Sequence, residues 1–260
     1  MAKYNVHGGH NPSGKIAEGA VDLISESKED RLVCKAVVKY LKAAGHTAYD
    51  CTCNNGAGQT DVLKKICAKC NAHDVTLDIS IHFNSGRNKH KDDGKMGGFE
   101  VWATNYSGIK KEAAKRIIAN MNKLGISSHG DPYKTTSHLY YLNHTNAKAL
   151  LLEICFVDDA TDVKAYKKIG YDKIGKAIAE GIIGKSIDSK KVTTTPAKST
   201  FKSYKVEITA SSLRIRKAAS TSADKVGSYK KGTTVTIKAV KNGWGQTKDG
   251  WIKLSYTKKC

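Results

Sequence analysis

The chain has 260 residues, 40% of them apolar, which is enough for one large domain with a buried core and a second, smaller one. Its formal net charge is +20, and residues 185–260 contribute most of it with 18 Lys and Arg against 4 Asp and Glu, so this part should attract polyanions. The sequence has no run of about 18 apolar residues and no signal-peptide pattern, and its seven scattered cysteines are unlike a disulfide framework; we therefore expect a chain made in the reducing cytoplasm, without a membrane span.

Strand and helix patterns alternate over residues 1–184. An apolar strand around residues 4–6 runs into HGGH, and residues 77–84 (LDISIHFN) alternate apolar and polar side chains with the period of a strand. A third strand, LLLEICFV, is apolar except for Glu153 and a cysteine. Apolar side chains at helical spacing occur at residues 32–45, 62–70, 109–125 and 174–182. The alternation predicts an α/β domain with a mostly parallel, twisted sheet flanked by helices.

The composition changes at residues 185–203, where Ser, Thr, Lys and a Pro replace periodic apolar residues. This composition predicts a linker. Short apolar strands with frequent Gly and Lys turns follow over residues 204–260, which is typical of a small all-β barrel. The sequence thus predicts two domains, 1–184 and 204–260, on either side of the linker.

Ionisable side chains occur at the ends of predicted strands and at a helix start. His10 follows the first strand, His82 ends the second, and Glu26 lies just before the first helix. Because functional groups in open α/β sheets collect where strands end, these three side chains could meet at one sheet edge. Two His and one carboxylate with a fourth position open form a catalytic zinc arrangement. Glu153 is a further candidate, because a carboxylate in an apolar interior is usually paired, bound to metal or used in catalysis.

These residues and their surroundings resemble a known enzyme family. The strand ending in GGH, a Glu before a helix that ends in Gly, SIHFNS, and LLLEICFVDD followed by a C-terminal helix are similar to the zinc-dependent N-acetylmuramoyl-L-alanine amidases of the amidase_3 family. The similarity spans essentially residues 1–184. It implies that His10, Glu26 and His82 are the zinc ligands and that Glu153 is the catalytic glutamate.

Alternatives remain for two of the ligands. Glu26 lies 19 residues before Gly45, which ends the helix, and this is the usual register of the family; Glu18 and Glu29 are weaker candidates. His7 occupies a position where the family usually has an acidic residue, in VHGGH rather than DPGH. Either His7 lies near the metal without binding it, or His7 replaces His10 as the first ligand.

The C-terminal domain resembles the bacterial SH3-type (SH3b) wall-binding domains. The resemblance rests on the LRIR start, the KKGT turn and two GW sequences. Such domains tether hydrolases to peptidoglycan, so the resemblance implies this role. Trp244, Trp251 and Tyr256 would then contact the wall, unless they form the core of so small a barrel.

Two further groups of residues have weaker signals. The cysteines in CTC (51–53) and CAKC (67–70) have the short spacings of a structural zinc site. We favour core packing, because the second pair falls on the apolar stripe of its helix, where cysteine behaves as a small hydrophobe. His138 and His144 are expected in a loop, and either one could contact substrate.

The resemblance implies a peptidoglycan hydrolase that uses zinc to cleave the amide between the lactyl group of N-acetylmuramic acid and L-alanine, held to the wall or its anionic polymers by the C-terminal domain. Without a signal peptide, a phage or prophage endolysin that reaches the wall after release is favoured over a secreted autolysin. A zinc peptidase acting on the peptide stem and a non-catalytic wall-polymer-binding protein remain alternatives. Nucleic acid is not an expected partner, since the sequence has no nucleic-acid recognition motif.

Overall fold

A computed structural model describes residues 1–188, 203–241 and 243–260, which form two compact units, one on each side of residues 189–202. The predicted linker therefore lies, except at its ends, outside the described residues. At its near end, Ile187 is buried in the core of the first unit, and its N–H donates to Glu180 Oε1 over 2.7 Å. The boundaries at 184 and 204 stay predictions. None of the helices in the described ranges has the length and apolar character needed to cross a membrane.

The first unit contains a six-stranded sheet. Its strands are β1 (Lys3–Gly8), β2 (Thr47–Asp50), β3 (Leu77–Asn84), β4 (Phe99–Ala103), β5 (Ser128–Thr135) and β6 (Ala149–Phe156). They are ordered β2, β1, β3, β6, β4, β5 across the sheet, and every neighbouring pair is parallel except β4 with β6. The prediction of an α/β domain with a largely parallel sheet is confirmed, whereas the reversal between β6 and β4 was not predicted.

Helices cover both faces of this sheet. They are α1 (Glu26–Ala43), α2 (Gln59–Asn71), α3 (Gly108–Leu124), α4 (Tyr140–His144), α5 (Ala160–Ile169) and α6 (Tyr171–Ile183). Successive side chains of a strand point to opposite faces, and on β6 Leu150 and Leu152 belong to a large core with α1, α3 and α6. Leu151 belongs instead to a smaller apolar cluster with α2 and α4.

The alternation predicted for β3 is confirmed. Leu77, Ile79 and Ile81 are completely buried in the large core. The side chains of Asp78, Ser80 and His82 therefore point to the opposite face, toward α2 and α4. This face carries the polar side chains of β3 beside the smaller apolar cluster, and Glu153 lies on it because it is two residues from Leu151 on β6.

The second unit is entirely antiparallel in its described strands. These are β7 (Tyr204–Ile208), β8 (Ser212–Arg216), β9 (Lys225–Lys230), β10 (Thr234–Ile237), β11 (Ala239–Lys241), β12 (Trp244–Gln246), β13 (Trp251–Lys253) and β14 (Thr257–Lys259). They form sheets of three and five strands around a small core that includes Ile208, Ile215 and Ile252. Trp244 is 7% exposed and Tyr256 is 49% exposed, so the first packs in this unit and the second is available for contact.

Candidate active site

Three ionisable side chains converge where β1 and β3 end. His10 lies just after β1, His82 lies near the end of β3, and Glu26 is the first residue of α1. The structure thus starts the helix at Glu26 itself, one residue earlier than predicted. Because β1 and β3 are parallel neighbours, their carboxyl ends are on one edge, and α1 begins at that edge.

Glu26 connects the two imidazoles. Its Oε1 lies 3.0 Å from His82 Nδ1 and 3.3 Å from His10 Nε2. Backbone N–H groups hold the same carboxylate from both sides: Phe83 donates to Oε1 over 3.1 Å and Ala20 donates to Oε2 over 2.8 Å. The carboxylate is therefore fixed by the main chain and does not depend on the imidazoles for its position.

Two glycines allow the chain to approach these side chains. A Cβ at Gly9 would lie 1.8 Å from His82 Cε1, and a Cβ at Gly19 would lie 2.3 Å from Glu26 Oε2. Neither contact is possible for a real side chain, so the backbone on both sides of the group must be glycine at these points. The second Gly of HGGH therefore has a direct structural role in this site.

Arg31 fixes the loop that carries His10. Its guanidinium donates to the main-chain carbonyl of His10, to that of Cys53 over 2.8 Å and to that of Ser27 over 2.9 Å. These hydrogen bonds join the first turns of α1 to the loops after β1 and β2. This role of Arg31 could not be predicted from the sequence, because it depends on three carbonyl groups that only the fold brings together.

Burial and hydrogen bonding determine the charges of the three side chains. Burial would raise the pKa of Glu26, but the hydrogen bonds from His10 and His82 hold that pKa well below its ordinary value. Burial lowers the pKa of His82, and Glu26 opposes the shift only in part. At His10 the effect of burial is outweighed by the hydrogen bond and charge of Glu26, so the pKa of His10 is raised. The centre of the group is thus an ionised carboxylate.

The group fits a metal ion. One ligand atom from each of His10, Glu26 and His82 lies within 4.8 Å of the others. Two imidazole nitrogens and one carboxylate oxygen are a ligand set typical of catalytic zinc, in which a fourth position stays open. Among the residues that the structure describes, no other group of three or more His, Cys, Asp or Glu side chains converges closely enough to hold a metal.

Glu153 is the cross-strand neighbour of His82 on one side and of Glu100 on the other. It is half-buried and lines the same cavity as the three converging residues. Its Oε2 is buried and has no hydrogen-bond partner among the described residues. Burial, and then the charges of Glu26 and Glu100, raise the pKa of Glu153 well above its ordinary value. Glu153, the acidic residue of LLLEICFV, therefore lines the cavity and does not form, within the described part of the chain, an ion pair that would explain its burial.

The cavity has a volume of about 420 Å³, and residues other than the converging group also line it. One wall is apolar and comes from Val62, Leu63 and Ile66 of α2. The segment from His138 to Tyr141 also lines it, so His138 is placed where substrate could contact it. His144, which was expected in a loop, is instead the exposed last residue of α4, and its ring stacks on that of Tyr140 with 3.7 Å between centroids.

Of the alternative ligands, His7 lines the same cavity but is not part of the converging group, and Glu18 and Glu29 are held by other contacts. His7 is 1% exposed, its ring contacts Tyr141 at 4.5 Å between centroids, and burial lowers its pKa to about 3. Glu18 accepts from the N–H of Gly14 over 2.7 Å, and Glu29 accepts from the hydroxyl of Tyr166 over 2.6 Å. His10 and Glu26, and not these residues, are the ones that meet His82.

Glu100 is a residue near the site that sequence reasoning missed. It is buried on β4, and its Oε2 accepts from Trp102 Nε1 over 3.0 Å and from Asn84 Nδ2 over 3.2 Å. Asn84 itself lines the cavity. A signal was present, because FEVWA places an acid inside an apolar strand in the same way as LLLEICF does.

The cysteines of CTC and CAKC are buried, and they pack in the small apolar cluster between the sheet and α2. Burial raises the pKa of Cys67 to about 11, so this thiol stays protonated near neutral pH. The core-packing interpretation is the one that the structure bears out.

The fold and the converging side chains together define an α/β protein with a candidate metal centre at the carboxyl ends of its parallel strands. The chain belongs to the Amidase_3 family, described as N-acetylmuramoyl-L-alanine amidase, and residues 6–184 match it. An uncharacterised protein of Clostridium perfringens strain 13 is 37% identical over 187 residues, and an uncharacterised 38.4 kDa protein of the same species is 36% identical over 190. Each match covers 72% of this chain and 53% of the relative, so the chain spans about half the length of these relatives.

Solved structures share the fold of the first unit. The catalytic domain of the CD27L endolysin targeting Clostridia difficile has a TM-score of 0.62 at 24% identity, over 72% of this chain and 100% of that one. The CwlD amidase of Clostridioides difficile, solved with the GerS lipoprotein, has a TM-score of 0.60 at 17% identity over 71% and 98%. CwlV, an N-acetylmuramoyl-L-alanine amidase of Bacillus (Paenibacillus) polymyxa, has a TM-score of 0.55 at 18% identity over 71% and 97%. The first unit thus has the fold of amidase catalytic domains.

Proposed function

We propose that the protein is a zinc-dependent peptidoglycan hydrolase that cleaves the amide between the lactyl group of N-acetylmuramic acid and L-alanine. The observation that supports this most directly is the position of Glu153, which lines one cavity together with His10, Glu26 and His82. Membership of the Amidase_3 family supports the choice of bond.

His10, Glu26 and His82 would hold the zinc ion through two imidazole nitrogens and one carboxylate oxygen. When bound, zinc supplies Lewis acidity toward a carbonyl oxygen and toward water. His82 Nδ1 lies 3.0 Å from Glu26 Oε1, so the carboxylate would stabilise a proton on this nitrogen. Because metal and proton compete for these atoms, zinc affinity should fall as the pH is lowered.

Glu153 would move the proton in the reaction. Its side chain lines the cavity of the three ligand residues, and the positive charge that zinc would bring there would favour the carboxylate form of Glu153, which can accept a proton from the attacking water. The water oxygen bonds to the lactyl carbonyl carbon, and the C–N bond breaks. Glu153 then donates the proton to the departing nitrogen of L-alanine, so that the products are a lactyl carboxylate and a free amine. The main-chain hydrogen bonds to Glu26 keep the ligand group in place throughout.

Digestion of purified walls tests this function. We expect new free amino groups on L-alanine and no new reducing sugar ends, because the cleaved bond is an amide at the lactyl group. Dinitrophenylation of the amino termini identifies the residue, and a reducing-sugar assay on the same digest is the control. New termini on other stem residues would mean that the enzyme is a peptidase. A digest with no new ends at all would favour a non-catalytic wall-binding protein.

The second unit is proposed to be an SH3b-like domain that holds the enzyme on the wall. Its separate antiparallel sheets and the excess of 18 Lys and Arg over 4 Asp and Glu in residues 185–260 support this. A chain that ends after Asp188 keeps Ile187 and the core of the first unit. We expect it to hydrolyse soluble muropeptides at the full-length rate but to cosediment less with walls. Salt-sensitive pelleting would indicate a charge contribution, and unchanged pelleting would contradict the tethering role.

The biological role is proposed to be that of a phage or prophage endolysin, which reaches the wall after the membrane is opened. In a host whose walls the protein digests, its production should leave cells intact until the membrane is permeabilised, and turbidity measures this. Lysis without permeabilisation would contradict the role.

A further inference from the structure

A groove on the second unit combines positive charge with aromatic side chains. It has a volume of about 430 Å³, and three cations, Arg214, Arg216 and Lys253, line it together with Trp244 and Tyr256. No Asp or Glu is among its lining residues in the described part of the unit. This distinguishes the groove from a general excess of surface lysine, because its charges surround one concave space.

The two arginines are neighbours on one face of β8. Leu213 and Ile215 point into the small core, so Arg214 and Arg216 point to the other face. Two residues along a strand span about 6.6 Å, so the two side chains start from points separated by that distance. Arg216 is also held in place, since its Nη1 donates to the carbonyl of Ala223 over 2.6 Å. One of its five N–H donors is used in this way, and the others remain for a ligand.

The third cation, Lys253, lies on the strand next to that of the tryptophan. Lys253 on β13 pairs with Trp244 on β12. Within the described ranges, neither Lys253 nor Arg214 has an ion-pair partner. Three positive charges on one groove repel one another and are most stable with anions between them. A single guanidinium is enough to bind one carboxylate through two hydrogen bonds. Three cations around one groove therefore suit a ligand with repeated anionic groups.

We propose that this groove binds a phosphodiester polymer of the bacterial wall, that is, a chain of polyol units joined by phosphates. The inference rests on the wall retention proposed above for the second unit and names the site and the ligand class. Arg214 and Arg216 bind successive phosphates, since a guanidinium matches two phosphate oxygens at once. Tyr256, which is 49% exposed, packs against the carbon atoms of the polyol.

The test uses the full-length chain and two double variants with the same change of charge. Arg214→Gln with Arg216→Gln alters the groove, and Lys205→Gln with Lys238→Gln removes two exposed cations that do not line it. We expect the groove variant to bind intact walls about tenfold or more weakly and the control variant to change by less than about twofold, because a few residues, often arginines, supply most of the binding energy of an interface. Walls stripped of phosphodiester polymer with hydrofluoric acid should bind the wild type as weakly as the groove variant. Thermal melting of each variant shows that it is folded.

Soluble poly(glycerol phosphate) is the competing probe, and it should displace the wild type from walls. Equal losses in the two double variants would show that diffuse charge, and not the groove, retains the protein. Full binding to stripped walls would assign the groove to carboxylates of the peptide stem and overturn the phosphate assignment. Displacement by DNA of equal charge would make it a general polyanion site and would also overturn it. If the chain that ends after Asp188 pellets as well as the full-length chain, wall retention itself is wrong, whatever the groove variants do.

Discussion

Glu153→Gln should reduce wall hydrolysis by at least about a hundredfold, because a general acid-base group typically contributes about 10²- to 10⁴-fold in rate. Glutamine keeps the shape of the side chain and its hydrogen-bonding capacity but cannot accept and return a proton. The metal should remain bound, since Glu153 is not among the three converging ligand residues. Turnover of soluble muropeptides, zinc content and thermal midpoint, measured on one preparation, check this result.

The thermal midpoint separates a proton carrier from a structural acid. Burial and the charges of Glu26 and Glu100 disfavour an ionised Glu153, so removal of its charge should not destabilise the fold. We expect the midpoint of Glu153→Gln to stay at or above that of the wild type. Glu112→Gln, an exposed change on α3, is the control and should leave all three measurements unchanged. A folded, zinc-loaded Glu153→Gln enzyme with a near wild-type rate would rule out the proposed role.

Local signals were sufficient for the strands and helices that position the site. β3 has the period of two because one face packs in the large core and the other face is polar, so its three isoleucine and leucine positions were predictable. Helices α1, α3 and α6 each bury an apolar stripe, and the stripe gave their positions. The grouping of His10, Glu26 and His82 was predictable because parallel strands end on one edge.

Two of the missed elements, β5 and α4, lack such signals. β5 is the edge strand of the sheet, pairs with β4 alone, and contains Asp131 and Pro132 in a mostly exposed stretch, so its sequence resembles a loop. α4 has five residues, which is too short for a helical period to appear. The pairing of Glu100 with Glu153 could not be predicted, since it depends on the antiparallel register between β4 and β6.

The choice between His7 and His10 also required the fold. Both belong to HGGH, and their spacing of three residues suits either assignment. His7 is still within β1, where the strand directs its side chain toward Tyr141 under α4. His10 lies beyond the strand, in a loop whose direction is set by the hydrogen bonds of Arg31. Contacts between distant segments, and not the local sequence, therefore decide which imidazole meets Glu26.

Glu26→Gln should abolish stoichiometric zinc binding, and Glu29→Gln should not. The two residues are three positions apart on the same helix and were both candidates from the sequence, so they form a matched pair. Glu26 Oε1 lies 3.0 Å from His82 Nδ1, whereas Glu29 accepts from the hydroxyl of Tyr166, a hydrogen bond that glutamine can also accept. Even residues that only support metal ligands cost about 10- to 100-fold in affinity when replaced, so loss of a ligand should weaken zinc binding by about a hundredfold or more.

Metal analysis after dialysis and titration against a fluorescent chelator measure this difference. The thermal midpoint gives a reading that does not depend on activity: a ligand that binds the native state at about 100 times its Kd adds about 2.7 kcal/mol to the free energy of unfolding. Added zinc should therefore raise the midpoint of the wild type and of Glu29→Gln but not that of Glu26→Gln. His82→Ala should behave like Glu26→Gln, because each removes one of three converging atoms. If Glu26→Gln keeps its zinc while Glu29→Gln loses it, the metal is bound elsewhere on α1, and the cavity beside Glu153 is not its site.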